Sequence, residues 1–124
     1  MITIFTIDND KKDSVLFVLC PPEIMTKGLK IINFMGYKYR TSSVFCSKEK
    51  IRDSPYFNTH HYICLLGKKG KFPPPQPPKL RLPSVQYYSG NVTEKLYDCI
   101  QQMFPDKIVV PLDIFDIEKV IKNE

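Results

Sequence analysis

The sequence predicts an α/β fold built on a mostly parallel sheet. Val15 to Leu19 is a continuous apolar run, as in a central strand covered on both faces, and Cys20-Pro21-Pro22-Glu23 breaks it just ahead of a stretch with helical spacing. The succession then recurs. Ser84 to Tyr88 has β character, Asn91 opens a helical stretch, and Ile108 to Phe115 is apolar again. Strands alternating with helices favour parallel neighbours, because each helix carries the chain back across the sheet. No repeat or long linker divides the 124 residues, so a single domain, 1–124, is expected.

Each element has its own signal. Ile2 to Ile7 mixes β-branched and aromatic residues and predicts a strand, followed by a charged turn from Asp8 to Ser14. Proline is tolerated in a first helical turn, so Pro21 and Pro22 open a helix whose apolar face is Ile24, Gly28, Ile31, Ile32 and Met35, with Gly36 as its stop. Tyr37 to Lys48 predicts a returning strand, with Lys38 and Arg40 opposed to Tyr37 and Tyr39 and with Val44-Phe45-Cys46 apolar. Ser47 to Asn58 is charged, contains Pro55 and predicts a loop. Tyr62 to Leu66 is a compact apolar run of buried-strand type, and Gly67 to Lys71 reads as a basic turn. The five prolines between Phe72 and Pro78 exclude helix and interior strand there. Asn91 with Glu94 has the layout of a capping box, Leu96, Cys99, Ile100 and Met103 form the helix face behind it, and Pro105 follows its end. Ile108 to Phe115 predicts a further buried strand. Asp116 then caps a last helix whose Ile117, Val120 and Ile121 face inward.

The apolar share, 43%, is ordinary for a globular protein, and no run approaches the ~20 apolar residues of a membrane span. Met1 to Phe5 has no basic leader, so the expectation is an intracellular protein in a reducing compartment rather than a secreted one. Asn91-Val92-Thr93 matches a glycosylation sequon, which means little in that compartment. Cys20, Cys46, Cys64 and Cys99 are widely spaced among apolar neighbours and read as buried free thiols. A zinc site from His60, His61, Cys64 and Cys46 is conceivable, but no pair has knuckle spacing.

Charge is unevenly placed. Lys27 to Arg81 holds twelve of the eighteen lysines and arginines but only Glu49 and Asp53 of the thirteen acids. Such a segment fits a nucleic-acid footprint and equally a solvated lysine-rich face. Few residues suit catalysis. There is no Gly-x-Gly-x-x-Gly or Walker pattern and no nucleophile elbow. Gly67-Lys68-Lys69-Gly70-Lys71 can grip a phosphate only in the weak sense that any basic glycine turn can. Pro74-x-x-Pro77 and Pro75-x-x-Pro78 fit an aromatic groove in polyproline II form, or simply a rigid loop between strands.

The order of landmarks is more specific than any one of them. Val15-Leu16-Phe17-Val18-Leu19, a helix ending Asn33-Phe34-Met35-Gly36-Tyr37-Lys38-Tyr39, a strand ending Val44-Phe45-Cys46-Ser47-Lys48, then Cys64-Leu65-Leu66-Gly67-Lys68-Lys69-Gly70 and Pro83-Ser84-Val85-Gln86-Tyr87 follow one another. This resembles the adenine N(6)-methyltransferases of mRNA and DNA, the MT-A-seventy family, over about residues 14 to 115. There the order is Leu-Phe-Leu-Trp, Trp-Gly-Phe/Tyr-x-Tyr, Val-Trp-x-Lys, Cys-Leu-Val-Gly-x-Lys-Gly and Pro-Ser-Val-Ile-Tyr. The resemblance implies a Rossmann-like methyltransferase fold, minimal or truncated at its N-terminus. The catalytic Asp-Pro-Pro-Trp/Tyr of that family has no counterpart, since the region holds only Ile2 to Ile7 and Asp8-Asn9-Asp10. The family's cofactor-serving lysine is also missing: Ser89 to Thr93 stands where it has His-Ser-x-Lys-Pro.

The resemblance thus implies a degenerate member with no catalytic, cofactor-binding or metal residues of its own. Its expected role is to scaffold an active adenine methyltransferase subunit, which binds S-adenosylmethionine, in a nuclear complex acting on DNA or RNA. Lys68, Lys69 and Lys71 are the expected phosphate contacts, and Lys48, Lys50 and Arg52 the expected partner contacts. Two other readings remain open: an active S-adenosylmethionine-dependent enzyme completed by another chain, and a free-standing nucleic-acid-binding adaptor.

Overall fold

A computed structural model describes residues 1–8 and 12–122. Among them the chain forms strands β1 (Thr3–Asp8), β2 (Ser14–Cys20), β3 (Lys38–Cys46), β4 (His61–Lys69), β5 (Val85–Tyr87) and β6 (Val110–Leu112) and helices α1 (Met25–Phe34), α2 (Val92–Met103) and α3 (Ile114–Lys122). The fold is α/β with a single mixed sheet of order β5-β3-β4-β2-β1-β6. Every residue of β2 is buried, as its continuous apolar run requires.

The expected mostly parallel pairing does not form: β3–β5 is parallel, while β1–β2, β1–β6, β2–β4 and β3–β4 are antiparallel. Connection length explains this. Asp8 and Ser14 face each other across a short hairpin, and a parallel crossover needs about a dozen residues or more. Residues 47–60 join β3 to β4 without a helix. Direction nevertheless follows the α/β logic. β6, β2, β3 and β5 all run one way, with helices on the β2-α1-β3 and β5-α2-β6 connections, and β1 and β4 run against them.

Strand alternation sends side chains into two cores. On one face Phe5, Phe17, Phe45 and Cys64 meet Leu96, Cys99 and Ile100 of α2, with Phe72 anchoring the proline segment beside them. On the other, Ile4, Leu16, Val18 and Leu65 meet Ile31 and Ile32 of α1 and Ile117 of α3. Val120 and Ile121, also expected to face inward, have side chains outside the described residues. Lys27 of α1 pairs with Glu118 of α3 on this face. Two glycines let α1 sit close. A Cβ on Gly28 would lie 2.8 Å from Leu65 Cδ1, and one on Gly67 would lie 2.9 Å from Ile32 Cγ2 and 3.0 Å from Tyr37 Cβ.

Several local expectations are revised. Gly67, Lys68 and Lys69 belong to β4, so the turn begins only at Gly70. Lys38 and Tyr39 do oppose each other, as their partners Lys68 and Gly67 do, but Tyr39 is exposed and a bulge between Tyr39 and Thr41 breaks the alternation at Arg40. Ile108 to Phe115 is no buried strand. β6 keeps three residues at the sheet edge, Ile108 is 81% exposed, and Phe115 is already helical and 75% exposed. Asp113, not Asp116, caps α3, its Oδ1 accepting the Phe115 N–H at 2.8 Å. At α2 one half of the expected capping box forms, with Asn91 Oδ1 accepting the Glu94 N–H at 3.1 Å.

Candidate functional site

In open α/β sheets, ligands gather outside the carboxyl ends of the co-directional strands. Here β3 and β5 are parallel neighbours, so the chain leaves both side by side, and the exits enclose a cleft of about 540 Å³. Cys46, Ser47, Lys48 and Glu49 line it from β3, and Tyr87, Tyr88, Ser89 and Gly90 from β5. The Tyr88 N–H donates to the Cys46 carbonyl at 3.0 Å, and Ser47 N–H to the His60 carbonyl at 2.7 Å, which fixes the two walls. Gly90, at φ +83°, turns the chain into α2. Burial, with Tyr62 and Cys46 nearby, pushes the Tyr88 phenol up, so it stays a neutral hydrogen-bonding group. Tyr87 is 71% exposed at the rim, and Tyr56 and Phe57 of the loop between β3 and β4 are 92% and 87% exposed.

The expected partner-binding residues belong to this edge. Lys48 lines the cleft, Lys50 Nζ pairs with Asp53 at 2.6 Å, and Arg52 Nη2 pairs with Glu23 at 2.5 Å. Glu23 also accepts from the Thr59 hydroxyl at 2.9 Å. Desolvation works against its charge, but hydrogen bonds from Thr59 and Arg52, with the Arg52 charge, outweigh it and hold the carboxyl below its ordinary range. Glu23 thus ties the β3–β4 loop to the turn after β2. Tyr87, Tyr88 and Gly90 escaped sequence reasoning. Their signal was an aromatic pair and a glycine at the exit of a strand.

The expected phosphate contacts lie at the opposite edge. Eight residue steps of roughly 3.3 Å along β4 put Lys69 about 25 Å from His61. Nor do the three lysines form one grip. Lys69 lies over the Tyr37 ring, 4.3 Å from its centroid, on the α1 face; Lys68 points to the α2 face; Lys71 follows the strand, and its N–H donates to Asp13 Oδ1 at 2.7 Å.

The conceivable zinc set is divided in the same way. Cys46 and His61 are register partners on one face, while Cys64 is buried on the other. Among the described residues no group of three or more His, Cys, Asp or Glu is placed to hold a metal. Burial pushes the Cys20 thiol up to about 11 and the Cys64 thiol up to about 12, and it raises Cys99 as well, so these thiols are packing groups rather than nucleophiles. Phe72 is buried edge-to-face against Phe104 at 5.5 Å and the proline run ends in a 3-10 turn at Pro78–Leu80, while Pro74, Pro77 and Pro78 themselves are exposed. No described helix is long and apolar enough to cross a membrane.

The chain matches no protein-family model and no curated protein.

Proposed function

We propose that the chain is a non-catalytic pseudo-methyltransferase subunit that scaffolds an active adenine N(6)-methyltransferase partner and helps hold DNA or RNA in the nucleus. Its landmarks follow the MT-A-seventy order, and the four co-directional strands with helical connections are compatible with a Rossmann-like ancestry. The observation that carries the non-catalytic reading is the state of the sheet's carboxyl edge. Glu23, after β2, is bound to Thr59 and Arg52, and Asp113, after β6, caps α3. These two carboxylates are therefore committed within the chain, and Glu49, after β3, is the acid that lines the cleft. β1, which stands in sequence where the family's catalytic motif lies, runs antiparallel to β2, so Asp8 ends at the opposite edge. On this reading the chain binds no S-adenosylmethionine of its own, and the partner subunit supplies the cofactor and the chemistry.

Lys48, Lys50, Arg52 and the exposed Tyr56 and Phe57 form the partner surface on this reading, with Lys68, Lys69 and Lys71 at the other edge as separate nucleic-acid contacts on different faces rather than one grip. Co-purification tests it: a catalytic adenine methyltransferase subunit is expected with the wild-type chain and is lost with Tyr56→Ser/Phe57→Ser. Calorimetry of the isolated chain with S-adenosylmethionine is expected to show no saturable heat. Saturable binding by this chain alone, or a stable monomer with no methyltransferase subunit in pull-downs, overturns the proposal.

A further inference from the structure

On the α2 face, at the edge away from the carboxyl-end cleft, lies a second groove of about 390 Å³. Its apolar surface comes from Val15, Leu66, Phe72 and Phe104, with Pro73 to Pro75 as one wall. Its charged lining residues are Arg40 and Lys68, with no acid among them. The register adds a third cation. Lys38 and Lys68 are direct partners across β3 and β4, so their side chains rise from the same face with Cβ atoms about 5 Å apart. Like charges directly opposed in a sheet repel, and no ion pair to a described residue relieves them. Arg40 sits within the irregularity between Tyr39 and Thr41, where bulges of this kind re-aim a side chain, and it is one of the groove's lining residues.

Three cations of one sign over an apolar, aromatic-floored groove of small-ligand size call for an anion of more than one charge carried on a flat apolar body. Arginine's planar fork matches a phosphate bidentately, and two flanking ammonium groups complete the neutralisation. We infer that this groove binds a nucleoside monophosphate, with the phosphate on Arg40, Lys68 and Lys38 and the base against Phe104 and the proline wall. The site shares Lys68 with the nucleic-acid contacts of the scaffold reading, but it needs no partner subunit: loss of co-purification leaves it standing, and loss of saturable monophosphate binding leaves the scaffold standing.

The test is titration of the full chain with adenosine 5′-monophosphate at low ionic strength, by calorimetry and by NMR. Saturable binding is expected, with shifts at Leu66, Phe72 and Phe104. Adenosine lacks the charge and is expected to bind at least about tenfold more weakly, and Arg40→Gln and Lys68→Gln are each expected to weaken the monophosphate by about tenfold. Arg40→Lys keeps the charge without the fork and falls between, while Lys30→Gln, at an exposed position of α1, leaves affinity unchanged. Melting temperatures of the variants establish that they are folded, and the wild-type shift map carries the test if one is not. Absence of saturation, shifts confined to other regions, or equal affinity in folded Arg40→Gln and Lys68→Gln overturns the inference.

Discussion

Gly67→Ala isolates the packing that brings α1 onto the sheet. The new methyl would lie 2.9 Å from Ile32 Cγ2 and 3.0 Å from Tyr37 Cβ. Ile32 is fully buried, so its Cγ2 has no free space to retreat into, and Tyr37 Cβ is fixed to its own backbone. Tyr37 is also pinned at its far end, where its hydroxyl receives the Ser14 hydroxyl at 2.6 Å. Overpacking a core by one methyl costs about 1–3 kcal/mol. Alanine recovers roughly 0.4–1 kcal/mol by restricting the unfolded chain, since Gly67 does not have a positive φ. The net expectation is a loss of about 1–2 kcal/mol, or roughly 3–10 °C in melting temperature for a domain of this size. Urea denaturation followed by circular dichroism reads it, and the m-value should not change. A Gly67→Ala protein as stable as the wild type, or more so, refutes the close approach of α1 to β4.

Three further outcomes follow from single contacts. Asn91→Ala removes the side-chain cap of α2 and is expected to cost about 1 kcal/mol in the same urea assay, while Asn91→Asp, which keeps an acceptor, costs little. Maleimide labelling of the native protein is expected to be fastest at half-buried Cys46, with Cys20, Cys64 and Cys99 reacting only on unfolding; rapid native labelling of Cys64 contradicts the buried, raised thiol. The Glu23 carboxyl, followed by NMR, should titrate below the ordinary value of about 4.3 and move up in Arg52→Gln. Because its folded value is lowered, the stability it contributes is present above the unfolded value and is lost as pH falls through the folded one; an unchanged midpoint in Arg52→Gln removes Arg52 as a cause.

What the sequence made legible, and what it hid, follows from the range of each interaction. β2, α1 and α2 were readable because continuous burial, helical spacing, Gly36 and the Asn91 cap are local properties. Strand direction was not, since a period of two is the same whichever way a strand runs. The clue lay in connection length: the five residues between Asp8 and Ser14 are too few for a crossover, and that alone makes β1 and β2 antiparallel neighbours. Ile108 and Phe115 misled because a short apolar run looks alike at an edge and in a core. At the candidate site, Lys48, Lys50 and Arg52 share one loop by sequence proximity, but Glu23 was invisible as the partner of Arg52 because it lies 29 residues away.

The separation of the two cationic groups constrains every functional reading. Had Gly67 to Lys71 been a turn, its lysines would converge on one phosphate. As strand residues, Lys68 and Lys69 face opposite sides of the sheet, and one of them is already over an aromatic ring. A nucleic-acid strand following the amino edge therefore meets Lys68 together with Lys38 and Arg40, not Lys68 together with Lys69. The loop that carries Lys48 and Arg52 lies near the other end of β4, about 25 Å away, beyond two Debye lengths at physiological salt. Charge changes at one edge should then leave binding at the other unaltered. If Lys68→Gln flattens the salt dependence of nucleic-acid affinity by about one unit while Lys48→Gln does not, the sheet has two working edges. If both act equally, one extended strand must wrap the domain, and the partner surface has to lie elsewhere.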